Sequence, residues 1–229
     1  MPGGTLLDPA PDLPPLPSLD EQVERLLRLG LHQRAGLAAS VLQDAVAGAL
    51  AQQDQYVSET PLLAVDPSLL PASVLAPHLE LAGKHGFVVE DMTDVDDFTA
   101  IEAVVPPSSP LYLVHGIERG DEMANWSPNE ALPAIVGRGR TPLTLTEGIL
   151  WLIQQPDVLV RNHTFMTIGS RLVKANGSVD ARTPAIWISN GTGRDGASRR
   201  NAPKVGWCWA GNRHTWLGFA SAASRTAVV

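Results

Sequence analysis

Cysteine is almost missing from this chain: 229 residues contain one, Cys208. A lone thiol excludes an intramolecular disulfide and any cysteine-cluster zinc site. Charge is sparse too, at 18% of residues against roughly 25% in an average soluble domain. The formal net charge is −7, so the chain lacks the net basic balance usual in nucleic-acid and anionic-membrane binders. No apolar run approaches the roughly 18–20 residues of a membrane span. The Pro-rich start shows no basic segment leading into an apolar one, so it does not read as an export signal. These absences point to a soluble cytoplasmic protein with neither nucleic acid nor membrane as partner. The six His (32, 78, 85, 115, 163 and 214) show no HxxxH, HxH or HxxE spacing, and there is no GxSxG elbow, Walker loop or HExxH. No metal and no cofactor is expected.

What is present describes an α+β chain. Residues 1–17 hold six Pro and read as a disordered tail, followed by one domain over 18–229 with a helical lead-in at 18–55. Ser18-Leu-Asp-Glu21 is a capping box that opens a helix, Gly30 stops it, and a second helix over about 37–51 completes a helical hairpin. A mixed central region follows, with strands expected at 62–65, 86–90 and 110–115 and one Thr93-capped helical turn at 94–98. Two further capping boxes, Ser127-Pro-Asn-Glu130 and Thr144-Leu-Thr-Glu147, open two more helices. From Phe165 onward the pattern is β and suggests an antiparallel C-terminal sheet. Asn176-Gly177 marks a type I′ hairpin, and Gly211–His214 a tight hairpin between strands 205–210 and 215–220.

Several groups are candidates for chemistry. The polar run leaving the third strand supplies Asp121 and Glu122 as acid–base carboxylates, with Arg119 to orient an anionic group and His163 as a further base. Arg171 is a second anion holder facing the same cleft. Trp207 and Trp209 alternate onto one strand face, with Trp216 across the hairpin and His214 beside it. Such rings either fill a core, which is the better reading, or stack on a ligand. Cys208 lies between them on the opposite face with Gly206 and Ala210, which reads as a small buried thiol rather than a nucleophile. Gly191-Thr-Gly-Arg-Asp-Gly196 matches GxGxxG, but no helix can follow before Pro203. The 190–203 Gly/Arg stretch therefore reads as a surface loop, with Arg194, Arg199, Arg200 and Lys204 open to an anion.

Four segments carry a family resemblance: Leu19–Leu26, Gly86–Asp94, Ser127–Pro133, and Gly206-Trp-Cys-Trp-Ala-Gly-Asn212 with His214-Thr-Trp-Leu-Gly218. Together they resemble a family of uncharacterised actinobacterial proteins, a domain of unknown function, over roughly residues 18–224. The resemblance implies no catalytic residue, cofactor or substrate.

The leading expectation is a protein that binds a small polar ligand or a protein partner without chemistry. Its cleft would adjoin the 115–122 loop and the Trp-rich C-terminal hairpin, using Arg119, Arg171, Trp207, Trp209 and His214. One alternative is an enzyme using Asp121 or Glu122 on an anionic small molecule. The other is a structural module whose Trp face is an oligomer interface. The sequence leaves the oligomeric state open.

Overall fold

A computed structural model describes residues 14–52 and 59–228. Most of the Pro-rich tail, positions 1–13, lies outside the described residues, as does the end of the helical lead-in beyond 52. Residues 14–17 run extended against the body, where Gln22 Nε2 donates to Pro17 O at 2.9 Å and Gln155 Nε2 donates to Pro14 O.

Among the described residues there are six α-helices, three of which begin at a capping box. Ser18 opens α1 (Leu19–Arg28) through its full capping box, and Gly30 (φ +67°) ends it before the short α2 (Leu31–Arg34). Helix α3 (Ala39–Gln52) packs back on α1, burying Leu42 and Val46. After the one-turn α4 (Ala72–Leu75) come α5 (Pro128–Gly137) and α6 (Leu145–Gln154), each begun by its capping box. The 3₁₀ turn at Val95–Asp97 has Asp94 rather than Thr93 at its start and no side-chain cap.

The strands form two main sheets. Leu62–Val65, Leu111–His115 and Ser224–Ala227 make an antiparallel sheet with Leu111–His115 in the middle. The larger sheet has the order 217–219, 164–166, 182–188, 203–209, 87–88. Its two inner pairings are antiparallel and both edge pairings parallel.

Two hairpin expectations need correction. Strands 203–209 and 217–219 are not hairpin neighbours, because strands 164–166 and 182–188 lie between them. Leu217–Phe219 pairs in parallel with Thr164–Met166, and the 211–216 turn crosses the sheet end instead of closing a hairpin. The Asn176-Gly177 turn exists, but only Gly177 (φ +80°) has positive φ there, whereas type I′ needs two such residues. Lys174 N donates to Ser178 O and Gly177 N to Lys174 O, both at 2.8 Å. That bonding closes a three-residue loop with a left-handed Gly at its end.

Helix α6 lies between the two sheets. All ten of its residues are buried, as its run LTEGILWLIQ, apolar nearly all round, requires. Gly148 lets it settle on the large sheet: a Cβ there would meet Thr167 at 2.5 Å. The main core joins α1, α3, α6 and the small sheet to one face of the large sheet through Phe165, Ile186 and Val205. The opposite face, with Met166, Ala185 and Phe219, is covered by Ala131 and Ile135 of α5 in a second, smaller core.

A fully buried polar group locks the centre. Glu147, with no exposed surface, accepts Arg225 Nε at 2.6 Å, Arg225 Nη2 at 2.7 Å, Tyr112 Oη at 3.1 Å and Thr144 N at 2.8 Å. Every strong acceptor position is filled, so the pair ties the last strand, the central strand and α6 together. Burial and the Glu147 charge push the Tyr112 hydroxyl far above its usual range, so it stays a neutral donor.

Candidate functional site

Four separated segments, 66–72, 95–100, 144–146 and Ser170, border a partly open cleft of about 240 Å³ over the start of α6. Pro67, Pro71, Val95, Phe98 and Leu145 give it an apolar strip. Two carboxylates, Asp66 and Asp96, and the hydroxyls of Ser68, Thr99, Thr144, Thr146 and Ser170 supply its polar groups. No Lys, Arg or His is among the residues lining it.

Local structure explains how each polar group is held. Asp66 ends the Leu62–Val65 strand and starts a turn, with Ser68 N and Oγ both donating to its Oδ1, the former at 2.8 Å. Asp96 belongs to the Val95–Asp97 turn and is braced by Ser73 of α4, whose N–H reaches Oδ1 at 2.8 Å. The capped start of α6 borders the cleft as well. Thr144 N donates to Glu147, Glu147 N to Thr144 Oγ1 at 3.3 Å, and Leu145 N to Ser170 Oγ at 2.9 Å. Ser170 can stand there because Gly169 passes close to the chain before α6, where a Cβ would come within 2.6 Å of Leu143 O. Arg182 packs over Phe98 at 5.3 Å, but its charge is spent on Asp94 (2.6 Å) and Asp180 (3.1 Å).

A second, more open depression of about 560 Å³ lies at the start of α5. Asn125, Trp126, Asn129, Glu130, Pro133 and Arg213 line it. Asn125 N donates to His214 O at 2.9 Å and Asn129 N to Ala210 O at 3.1 Å, so the 211–216 turn is fastened to this helix start. His214 stacks on Trp216 with ring centroids 4.6 Å apart, and Trp126 and Trp216 are 38% and 45% exposed. Arg213 pairs with Glu130, which the Ser127 cap holds below the usual carboxylate range.

The residues singled out from sequence are distributed unevenly around these two places. Arg119 is buried beneath the 115–122 loop, donating to Asp121 at 2.9 Å and to Val158 O, with Phe165 under its guanidinium at 5.7 Å. Asp121 is therefore the partner of a buried arginine, and Glu122 is bound to Arg138 on the surface at 2.7 Å. Left-handed Gly120 makes this turn possible, since a Cβ there would overlap Phe219 O. Arg171 lies elsewhere, in the two-stranded ribbon with Thr99–Ala100. It donates to Asp180 O at 2.7 Å, and its buried Nε finds no acceptor among the described residues. His163 is half-buried, with its amide bonded to Val160 O at 3.1 Å. None of these residues lines the cleft at the start of α6.

The Trp cluster divides. Trp207 and Trp209 do share a face, in edge contact at 4.5 Å, and Trp207 packs against the main core. Trp209 is 47% exposed and Trp207 partly buried, so the expectation of core packing is met in part by Trp207 and fails for Trp209 and Trp216. Trp216 belongs to the other end of the sheet order, because the hairpin that would have paired it is absent. Cys208 faces the smaller core, and burial pushes its thiol up, opposing thiolate formation.

Residues 190–203 form a loop with two 3₁₀ turns, not a phosphate-binding helix start. Arg194 meets Asp91 at 3.2 Å, Arg199 meets Glu90 at 3.6 Å, and Lys204 meets Asp195 at 2.8 Å. Three of its cations are thus matched within the chain. Among the described residues no group of three or more His, Cys, Asp or Glu is arranged to hold a metal, and no helix is long and apolar enough to cross a membrane.

Fold and cavities together define an α+β protein with a partly open, largely apolar cleft edged by hydroxyls and carboxylates at the start of α6, a wider depression at the start of α5, and a cavity of about 340 Å³ beside Gly116, Ile117, Trp151 and Gln155. The chain belongs to a family of unknown function (DUF5701), whose model matches residues 25–228. No curated protein and no solved structure matches it.

Sequence reasoning missed the cleft at the start of α6 entirely. Its polar groups come from four distant segments and are small hydroxyls and turn carboxylates, which also serve as caps and turn formers. Thr144 and Glu147 were visible as a helix start. Nothing local signals that this start faces a cavity.

Proposed function

We propose that this protein binds a small polar molecule in the cleft at the start of α6 and does no chemistry on it. The observation that carries this reading is convergence. Two carboxylates, five hydroxyl residues and an apolar strip of Pro67, Pro71, Val95, Phe98 and Leu145 border one cleft, the composition of a ligand pocket that fixes orientation through a few polar groups. The absence of chemistry is supported by how the candidate acid–base groups are used. Asp121 is committed to Arg119 and Glu122 to Arg138, and burial pushes the Cys208 thiol up, against thiolate formation.

The test is a thermal-shift screen of a metabolite library on the wild type and on Ala100→Trp, which fills the cleft from an exposed position. A ligand at a hundred times its Kd stabilises by about 2.7 kcal/mol and raises Tm by roughly 5–10 °C in a chain of this size. Wild type should respond while Ala100→Trp melts normally and does not. Hits that shift both proteins equally would refute the cleft as the site.

A second reading, contact with a protein through the depression at the start of α5, is favoured by exposed Trp126 lining it together with Arg213. Trp and Arg are the side chains enriched at interface centres. If the contact is between copies of this chain, sedimentation velocity should show concentration-dependent association that Trp126→Ala removes. A monomer at high concentration would dismiss self-association.

A further inference from the structure

The chemistry of this cleft narrows its ligand further, and this inference rests on the binding role proposed above. An anion is the first class to weigh, because a helix start lines the cleft and free amides there attract negative charge. Here three of those amides are spent, and only Thr146 N has no acceptor among the described residues. The N–H groups of Thr144, Leu145 and Glu147 already donate to Glu147 Oε2, Ser170 Oγ and Thr144 Oγ1. No cationic side chain lines the cleft, and Arg182, behind Phe98, is neutralised by Asp94 and Asp180. An anion entering would face two carboxylates with no compensating charge.

The carboxylates suit the opposite ligand. Both hydrogen bonds to Asp66 fall on Oδ1, leaving Oδ2 without a donor among the described residues. Asp96 receives one bond on each oxygen from Ser73, and an ionised carboxylate accepts about four. The hydroxyl residues have donors to give. Ser170, 2% exposed, uses its oxygen to accept from Leu145 N, and its hydroxyl hydrogen has no acceptor among the described residues. Thr144 and Thr146, both buried, are 3.3 Å apart oxygen to oxygen, so one of the two donates to the other and one hydroxyl hydrogen is left over. A buried hydroxyl with an unused donor is costly unless something accepts from it.

We infer that the cleft takes a small aliphatic amino alcohol. Its ammonium would lie against Asp66 and Asp96, its short carbon chain along Phe98, Val95 and Pro71, and its hydroxyl oxygen would accept from Ser170 and the Thr144–Thr146 pair. The amine satisfies the carboxylates and the oxygen satisfies the hydroxyls. A plain diamine or an anion leaves one set unmet.

Ligand-observed NMR titration of the full chain tests this with three probes of one length: 4-amino-1-butanol, 1,4-butanediol and 4-hydroxybutyrate. The amino alcohol should bind at least about tenfold more tightly than the diol, since a hydrogen bond to a charged group is worth roughly 1.5–3 kcal/mol. The hydroxybutyrate should not bind. Asp66→Asn, which keeps the Oδ1 used by Ser68, and Asp96→Asn, which keeps the Oδ1 used by Ser73 N and lets its amide donate to Ser73 Oγ, should each weaken the amino alcohol about tenfold or more and leave the diol unchanged. Equal binding of diol and amino alcohol, indifferent to both substitutions but blocked by Ala100→Trp, would overturn the amine and leave the binding role intact. Tighter binding of 4-hydroxybutyrate would likewise overturn the amine. No cleft-dependent binding of any probe, together with no cleft-dependent hit in the library screen, would overturn both.

Discussion

Helices α5 and α6 begin with the same short-range device, a hydroxyl residue followed three positions later by Glu, and come to opposite ends. At α5, Glu130 reaches back to Ser127 N at 2.9 Å and meets the exposed Arg213 on the rim of an open depression. At α6, Glu147 makes the same reach to Thr144 N at 2.8 Å, yet it is fully buried and clamped by Arg225 and Tyr112. A capping box sets the local geometry of a helix start and nothing more. What the start then does is decided by which distant segments cover it. Strand 224–227 covers α6 on one side, and segments 66–72 and 95–100 close the cleft on another.

The largest effect should come from removing the arginine at the buried end of this pair. Arg225→Met leaves the Glu147 carboxylate without its counter-charge inside the core, which costs about 3–5 kcal/mol. Urea unfolding should show a lower midpoint with an unchanged slope. A loss below 1 kcal/mol would mean that water reaches Glu147 and that the two helix starts are not so different.

Next comes the network beside the cleft. The guanidinium of Arg182 bonds Asp180 and holds it down to about 2. Its unfolded value is about 4, so the folded state gains when Asp180 is ionised. That stabilisation is complete above about pH 4 and disappears as pH falls through about 2, amounting to roughly 2 kcal/mol. Asp180→Asn should lose it at neutral pH and show a flatter stability profile between about pH 4 and 2. A parallel profile in wild type and variant would show that Arg182 relies on Asp94 alone.

The caps themselves give a finer test. Ser127→Ala should cost about 1 kcal/mol, and Thr144→Ala, which also breaks the buried pair with Thr146, nearer to 2 kcal/mol. Equal losses would erase the contrast in burial. The smallest effect is expected at the exposed end: Glu130→Gln should leave the urea midpoint unmoved within error, because an exposed carboxylate with a rim arginine contributes little. A clear loss there would show that the α5 start is structural rather than free to meet a partner.

Much of the architecture was legible in sequence because its signals are local. The three capping boxes, the Gly30 stop and the short apolar runs at 62–65 and 110–115 each name an element without reference to the rest of the chain. Pairing was less legible. Gly211–His214 carries good hairpin residues, yet strand 217–219 pairs with 164–166, a choice made by sheet order and not by the turn. The site was hardest to see. Asp121 and Arg119 looked like chemistry because they are charged and close in sequence, and that closeness is what makes them a structural pair. Asp66 and Asp96 are turn residues and Thr146 and Ser170 stand beside a helix start, so none carries a local sign of a cleft. Trp207-Cys208-Trp209 is a ring cluster plain in the sequence, while the exposed indole that lines a depression is Trp126.

The central claim is that the start of α6 is a ligand cleft and the start of α5 is not. It is tested most directly by backbone amide NMR shifts on titration with 4-amino-1-butanol. The account predicts saturable shifts at residues 66–68, 96–100, 144–146 and 170, with residues 125–130 and 213–216 unmoved. Shifts centred on Trp126, Glu130 and Arg213, with the α6 start silent, would contradict it.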